Sequence, residues 1–476
     1  MKLIPITSLV LLSLGILPAV QADTSTKPLT LTDIMHFESL EKPVIADKGQ
    51  VIAVESAPDR GDSHVIVKNV LSQQSYQIAG GSDPLVSHDG RFVAVVVKPS
   101  LLTRETSDAK AKKKLKSDMV LLDTQTGTQT RFERVKEFVF SDDGKHLAMW
   151  FEADEESKKD AEPKASEKLA EAGTQTPAKA DKPKVDKFDQ GRRFTLLSLD
   201  GQTQRIDVEQ VTGYVFDKAS RRLALAVNDI ANKQHQLQLV DLHTHQKTVA
   251  FDSPSQQVGA LALAKNGRWL AFTQGKDSEL PYGRSYQLSL VDLQSGKISK
   301  TPESPEWKLN RYTSLSFSLD SERLFFGRVP EVSQQLSLQK ITEEKDLFNA
   351  DIVTGQRGLK VWHGDDPRIK PHEIKQYEDE QKRTYLAVLH LGSNNVVQLG
   401  DKTVPDVTIS QHKRFMLASS DLPYRKMATW AGFYQDYYLV DINTGSKVPF
   451  LTQQPSDAEP SLSGNGKYVA YYQQGN

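Results

Sequence analysis

A short strand–turn–strand motif recurs eight times along the chain, and this repeat constrains the fold more than any other feature. Each copy has an apolar strand, a turn of Asp, Gly, Asn or Ser followed by a cationic residue, and a second, almost wholly apolar strand. Asp-Gly and Asn-Gly accept the positive φ angles of hairpin turns, and a continuously apolar strand indicates burial on both faces. The copies are Ala46–Glu55, Ser87–Val97, Phe140–Phe151, Phe216–Val227, Leu263–Thr273, Phe317–Val329, Ser410–Ser420 and Leu462–Tyr472.

A second motif follows most copies, in which a strand ending in Asp is followed by a Thr/Ser-Gly turn and then a more polar strand. Two hairpins per unit make a four-stranded antiparallel sheet, and turn-to-turn spacings run from 41 residues (Gly49 to Gly90) to 54 (Gly90 to Gly144). Such periods are typical of propeller blades, whereas the rival β-sandwich lacks a motif at a fixed period. The copies are Val120–Gly127, Leu237–His245, Leu288–Gly296, Phe348–Gly355 and Tyr438–Gly445.

We therefore predict an all-β fold, a β-propeller of seven or eight four-stranded blades. The last blade is expected to be incomplete, because residues 461–476 supply only its first hairpin. The simplest interpretation is that the sequence is cut short.

Three stretches interrupt the repeat. Residues 152–190 are rich in Lys, Glu, Asp, Ala and Pro, which predicts a disordered or partly helical loop within one blade rather than a partner-binding arm. Residues 361–383 contain Pro371 before a charged run, which predicts a short helix ending near Thr384. Residues 101–117 carry Lys110, Lys112, Lys113, Lys114 and Lys116. With 60 basic and 61 acidic residues in the chain, a solvated loop is favoured there over a nucleic-acid or lipid patch.

The N-terminus resembles a secretory signal. Lys2 is followed by an apolar stretch, and Val20-Gln21-Ala22 presents small residues at the cleavage positions, which predicts a signal peptide over residues 1–22 and a propeller over residues 23–476. The alternative is a short membrane anchor, but the apolar run is short for a spanning helix. We expect a periplasmic or secreted protein with no other membrane span. The absence of cysteine excludes disulfides and thiolate chemistry.

No serine fits the Gly-x-Ser-x-Gly turn of α/β-hydrolases. The nearest matches, around Ser63, Ser82 and Ser285, each lack the second glycine and lie in β or loop context. We assign no catalytic residue to this chain. An enzyme with its site in the central channel would need polar residues at the inner strand ends, and the inner strands are expected to be mostly Val, Ala, Leu and Phe.

Metal and cofactor sites are not assigned either. His243 and His245 lie at a predicted turn without a third ligand nearby, and His363-Gly364-Asp365-Asp366 is typical of a loop. The adjacent Asp142 and Asp143 belong to a repeating hairpin turn, which accounts for them better than acid–base catalysis does. Calcium-binding and phosphate-binding sequence signatures are absent.

Three segments resemble exported peptidases of the prolyl oligopeptidase/dipeptidyl peptidase IV family. Residues 29–54, beginning LTLTDIM, are similar to the entry of that family's propeller, and residues 361–371 (VWHGDDPRIKP) and 430–445 resemble segments of a long-chain bacterial subgroup. The resemblance implies a propeller that precedes an α/β-hydrolase domain, shields the active site and filters peptide substrates by size. It assigns a role and no site residue, because the family's catalytic triad lies in the hydrolase domain.

The leading interpretation is therefore the substrate-gating propeller of a periplasmic serine peptidase, with a hydrolase domain expected downstream. The alternative is a stand-alone periplasmic propeller that binds proteins or peptides, similar to that of the TolB translocation protein. Neither interpretation requires a cofactor or nucleic acid.

Overall fold

The computed structural model describes residues 28–153, 191–200, 204–277, 284–331, 343–350, 352, 362–410 and 412–472. The predicted signal peptide, and all but the first two residues of the predicted loop 152–190, lie outside these residues. In the described ranges, no helix has both the length and the apolar character needed to cross a bilayer.

The strands form successive antiparallel units in which neighbours in sequence are neighbours in the sheet. Blades 1 and 2 comprise β1 Glu38–Ile45, β2 Val51–Pro58, β3 His64–Asn69, β4 Ser75–Ala79, β5 Gly81–Val86, β6 Phe92–Val97, β7 Asp118–Asp123 and β8 Gln129–Phe132. Blades 3 and 4 comprise β9 Val135–Phe140, β10 His146–Phe151, β11 Arg192–Ser198, β12 Arg205–Phe216, β13 Arg222–Asp229, β14 Gln234–Asp241 and β15 Lys247–Ser253.

The remaining units follow the same order. Blades 5 and 6 comprise β16 Gln256–Leu263, β17 Trp269–Asp277, β18 Arg284–Asp292, β19 Ile298–Lys300, β20 Trp307–Lys308, β21 Leu315–Phe317, β22 Arg323–Pro330, β23 Tyr385–His390 and β24 Asn395–Gln398. Blade 7 and a two-stranded half-blade comprise β25 Asp406–Thr408, β26 Phe415–Ser420, β27 Tyr434–Asp441, β28 Lys447–Pro455, β29 Ser461–Leu462 and β30 Val469–Ala470.

Two blades depart from the simple four-strand unit. The long strand β12 pairs with β11 through its first half and with β13 through its second half, so it closes blade 3 and opens blade 4. The first strand of blade 6 is broken into β20 and β21, which both pair with β22. The described chain thus holds seven four-stranded units and a half-blade, and the prediction of an all-β propeller with an incomplete last blade is confirmed.

Helices are few and short. They are α1 Leu31–Met35, α2 Leu101–Thr106, α3 Ala109–Lys114 and α4 Lys370–Lys382, with 3₁₀ helices at Glu344–Phe348 and Leu422–Thr429. Side-chain caps fix the first three, since Thr30, Ser100 and Asp108 each accept a hydrogen bond from a backbone N–H of the first turn.

The core is divided among six hydrophobic clusters, each formed chiefly between neighbouring blades. Strand β13 shows why the second strands are apolar throughout. Its Leu223 and Leu225 pack against blade 3, while Ala224 and Ala226 pack against blade 5, and all four are fully buried. The small alanines allow that second sheet to approach closely, which brings Phe272 of β17 into the same cluster.

The first-to-second-strand turns bind to one another from blade to blade. The Asp143 N–H donates to Ser220 Oγ (3.0 Å), and the Asn266 N–H donates to Ser321 Oγ (3.1 Å). In three blades the cationic residue after the turn pairs with the Asp that ends the third strand. The pairs are Arg91–Asp123 (3.3 Å), Arg268–Asp292 (2.9 Å) and Arg414–Asp441 (3.0 Å). In these blades the ion pair accounts for the cationic position of the sequence motif.

Candidate functional site at the bulged first strands

The two ends of the sheets differ in their connections. First-to-second and third-to-fourth strand turns are short and lie at one end, here called the turn end. Second-to-third strand connections emerge at the opposite end, where each first strand begins, because the strands are antiparallel. This second end is here called the insertion end. The described residues of the longer connections, 98–117, 362–384 and 421–433, lie there.

In the described chain, five first strands carry a β-bulge. One extra residue interrupts the pairing of β1, β5, β9, the second half of β12, and β16 with the second strand of the same blade. In blade 3, Val135 pairs with Phe151 and Glu137 with Trp150, so Lys136 is the extra residue. First strands line the central channel of a propeller, and bulges redirect side chains. The bulged positions are therefore candidates for a ligand-binding site.

Buried polar side chains hold the bulged strands in place. The Glu55 carboxylate on β2 accepts hydrogen bonds from the Asp83 backbone N–H and from Lys42 Nζ, each at 3.1 Å. The Asn228 amide on β13 accepts from the Val258 N–H (2.9 Å) and donates to the Val258 carbonyl (2.7 Å). In both cases a second strand binds the first strand of the next blade. These bonds satisfy groups that would be costly to bury unpaired.

The bulges of blades 1 and 2 neutralise each other. Lys42 Nζ lies 2.7 Å from the Asp83 carboxylate, and Lys98 Nζ lies 3.5 Å from the same group. Hydrogen bonds to Asp83 and Glu55 raise the pKa of Lys42, and the bond from Lys42 lowers the pKa of Asp83. This part of the site is a closed set of ion pairs.

The bulge of blade 3 is cationic and has no such partner. Lys136 Nζ lies 4.4 Å from the centroid of the Trp150 ring, and the Arg192 guanidinium carbon lies 5.3 Å from the same centroid. Partial burial, and then the neighbouring Arg192, lower the pKa of Lys136. In the part of the chain that the structure describes, Lys136 forms no side-chain hydrogen bond or ion pair.

The carboxylates around Lys136 are engaged elsewhere. Glu152 binds Arg192 (2.9 Å) and lies 3.9 Å from Lys116. Glu137 accepts a hydrogen bond from the Tyr214 hydroxyl (2.9 Å), and burial together with Glu137 raises the pKa of Tyr214. Lys136, Arg192 and Trp150 are here called the Lys136 site, and with Lys116 the cationic side chains there outnumber Glu152 and Glu137.

The three serines considered from the sequence lie in other blades than the Lys136 site. Ser63 Oγ donates to the Gly81 carbonyl (2.8 Å), Ser82 is fully buried with its hydroxyl unpaired, and Ser285 is exposed on β18. In the described chain, none of the three hydroxyls is hydrogen-bonded to an imidazole.

The acidic and histidine motifs form local turn and ion-pair contacts. The His243 N–H donates to Asp241 Oδ1 (3.0 Å), and His245 follows in the same turn, with its ring centroid 5.7 Å from that of the buried His146. Asp365 pairs with Lys426 (2.8 Å) and Asp366 with Lys370 (3.3 Å). Across the described ranges, no three His, Asp or Glu side chains are grouped as metal ligands would be.

The hairpin carboxylates serve the turn. Asp143 Oδ1 accepts from Ser141 Oγ (2.7 Å) and from the Lys145 N–H (3.1 Å), and Asp142 pairs with Lys218 of the next blade at 3.3 Å.

Sequence analysis missed the Lys136 site. The expectation that the inner strands are mostly Val, Ala, Leu and Phe is wrong for the first strands, because the apolar runs after the hairpin turns form the second strands. The first strands carry Lys42, Asp83, Lys136 and Glu137. The adjacent charged residues Lys136 and Glu137, between Val135 and Phe138, were a weak signal, since they interrupt the apolar pattern.

Comparison with known proteins returns structural likeness without sequence likeness. No family model matches the chain, and no curated protein matches it. The propeller domain of the Trilobed protease from Pyrococcus furiosus is 9% identical, with a TM-score of 0.34, over 88% of this chain and 100% of that one. A prolyl endopeptidase is 10% identical, with a TM-score of 0.38, over 90% of this chain and 53% of that one.

A eukaryotic initiation factor is 9% identical, with a TM-score of 0.46, over 91% of this chain and 81% of that one. The matched region spans about half the length of the prolyl endopeptidase named above, 53% of that chain. β-Propeller domains of peptidases occur among its structural neighbours, at identities and TM-scores that do not bear on chemistry.

Proposed function

We propose that this chain is the substrate-gating propeller of an exported serine peptidase of the prolyl oligopeptidase/dipeptidyl peptidase IV type. The observation that carries the proposal is the position of the three resembling segments, each of which has described residues at the insertion end. Asp365 of the 361–371 segment binds Lys426, which lies just before the 430–445 segment, at 2.8 Å. The Arg60 N–H donates to the Met35 carbonyl, and Arg60 binds Glu105 of α2, which ties the entry segment to the insertions there.

Exposed aromatic side chains occur at the same end. Trp430 and Phe433 are 72% and 71% exposed, and Trp362 and Tyr377 are exposed to a similar degree. Large apolar side chains exposed together are typical of surfaces that bind another protein or domain. A hydrolase domain seated there would cover the end at which the first strands begin. Peptides would then reach its active site through or past the propeller.

Export is part of the proposal. Cleavage after Ala22 would release a chain starting at Asp23 into the periplasm or the medium. N-terminal sequencing of the mature protein from its natural host tests this, and a retained Met1 would contradict it.

The test of the peptidase proposal uses the complete product of the gene from which this sequence comes. A fluorophosphonate probe is expected to label one serine outside residues 23–476, and the labelled protein is expected to cleave short peptides faster than folded proteins. Replacement of Trp430 and Phe433 by Ala should relax that size discrimination. Leu71→Ala, an equally exposed apolar residue at the turn end, should leave it unchanged. A complete product without a labelled serine would contradict the proposal.

The TolB-like alternative rests on the same exposed aromatic surface. Under that alternative, the isolated chain of residues 23–476 would itself bind a periplasmic protein through Trp430 and Phe433. A stable complex of the isolated chain, together with absence of serine labelling in the complete product, would favour the binding propeller over the peptidase.

A further inference from the structure

We propose that Lys136 and Arg192, gathered around Trp150, form a binding site for a peptide carboxylate at the channel end of blade 3. The inference rests on the proposed function and adds a substrate class, namely peptides that present a C-terminal or side-chain carboxylate. It concerns a site that the chain itself contains.

The bulge in β9 determines where Lys136 lies. As the extra residue of the β9 bulge, Lys136 has no partner on β10, and its Nζ lies 4.4 Å from the centroid of the Trp150 ring, beside the Glu137–Trp150 pair. The ring is fixed in turn, because Trp150 Nε1 donates to the Val211 carbonyl at 3.0 Å. A cation held over an indole that is itself hydrogen-bonded is preorganised for a ligand.

The charge balance leaves room for one anion. Lys136, Arg192 and Lys116 contribute three positive charges, whereas Glu152 and Glu137 contribute two negative charges. Glu152 is shared by Arg192 and Lys116, and Glu137 is bound by the Tyr214 hydroxyl. The Lys136 ammonium and the Arg192 guanidinium lie near one ring and repel each other, and an incoming carboxylate would relieve that repulsion.

Blade 1 supplies an internal comparison. Its bulge lysine, Lys42, lies 2.7 Å from the carboxylate of Asp83 in the next blade. In blade 4 the corresponding bulge residue is Thr212, whose hydroxyl accepts a hydrogen bond from the Asn228 amide at 2.6 Å. No carboxylate from blade 4 therefore reaches Lys136 as Asp83 reaches Lys42 within the described residues. The ligand would take the place that Asp83 takes beside Lys42.

The test uses the isolated chain of residues 23–476 and three probe peptides: tetra-alanine with a free C-terminus, its C-terminal amide, and acetyl-Ala-Ala-Glu-Ala-amide. Calorimetry gives affinity, and Trp fluorescence reports on Trp150. The free acid is expected to bind at least about tenfold more tightly than the amide, the size expected of one charge-assisted hydrogen bond. Binding of the Glu peptide instead would assign the site to a side-chain carboxylate.

The variants separate binding from folding. Lys136→Met should weaken carboxylate binding about tenfold, Lys136→Arg should retain it, and Arg192→Met should weaken it similarly. Lys276→Met removes the same charge from an exposed position at the insertion end of blade 5 and should change nothing. Thermal melts confirm that each variant is folded.

Equal binding of all three probes, no binding of any probe, or equal effects of Lys136→Met and Lys276→Met would each overturn the proposal. Because the assay uses the isolated chain, its outcome is independent of whether the complete product carries a labelled serine.

Discussion

At the turn end, neighbouring blades are joined by hydrogen bonds between short hairpin turns, whereas at the insertion end long connections carry helices, ion pairs and exposed aromatic side chains. Arg323 illustrates the first, since its buried guanidinium donates to the Lys413 carbonyl of the next blade at 2.9 Å. Trp430 illustrates the second, being 72% exposed. The same repeated sheet thus provides one end that contributes mainly to stability and another that is free to acquire function.

The largest expected effect comes from the core that both ends share. Phe272→Ala empties a fully buried position between blades 4 and 5 and should lower the free energy of unfolding by about 3–5 kcal/mol, measured by urea denaturation. The matched change Phe433→Ala, at a side chain exposed at the insertion end, should stay within about 0.5 kcal/mol. A comparable loss of unfolding free energy in both variants would mean that the Phe433 side chain is packed in the core rather than exposed.

Breaking the turn end should cost less than breaking the core. Arg323→Met removes hydrogen bonds to the Lys413 carbonyl and to Asp320 (3.1 Å), and we expect a loss of about 2–3 kcal/mol. Arg131, which binds Asp118 on an exposed surface, provides the control, and Arg131→Met should cost at most about 1 kcal/mol. The ranking fails if the two arginine variants unfold at the same urea concentration.

A single turn-to-turn bond should have a smaller effect. Ser321→Ala removes the hydroxyl that accepts the Asn266 N–H, and about 1 kcal/mol should be lost in the same urea assay. Ser72→Ala, at an exposed turn within blade 1, serves as the control and should be neutral. Neutrality of Ser321→Ala would show that these inter-blade bonds do not stabilise the turn end.

The smallest expected effect is a local pH response at the insertion end. The Tyr424 hydroxyl donates to Asp436 (2.6 Å), and burial, followed by that bond, raises the pKa of Tyr424 to about 12. Because this pKa lies above the usual value of 10, the bond contributes fully below pH 10 and is lost as the pH rises towards 12. Absorbance at alkaline pH should show a tyrosine titrating near 12 that Tyr424→Phe removes. The control Tyr468→Phe, at an exposed tyrosine, should leave that titration near 12 in place.

Sequence predicted the features that are determined locally. Hairpin turns such as those at Gly90 and Gly267 depend on a few adjacent residues that accept positive φ angles, and the blade count follows from their spacing. The half-blade at β29 and β30 was predicted for the same reason, since its hairpin turn at Gly466 is also determined locally.

The bulges and the Lys136 site could not be predicted from the sequence, because a bulge exists only relative to the strand with which it pairs. Lys136, Trp150 and Arg192 are brought together by three different strands, and the last two are separated in sequence by the charged insertion. Nothing in the local sequence around Lys136 specifies that its ammonium group lies over Trp150 rather than pairing with a carboxylate, as Lys42 does.

Hydrogen–deuterium exchange, comparing the complete gene product with the isolated chain of residues 23–476, tests the central claim most directly. The account predicts that the complete product protects the insertion end, above all the amides of Lys370–Lys382 and of Leu422–Thr429, while the hairpin turns at Gly267 and Ser321 exchange equally in both proteins. Added protection at the turn end, or identical exchange throughout, would contradict the proposal that the insertion end receives a second domain.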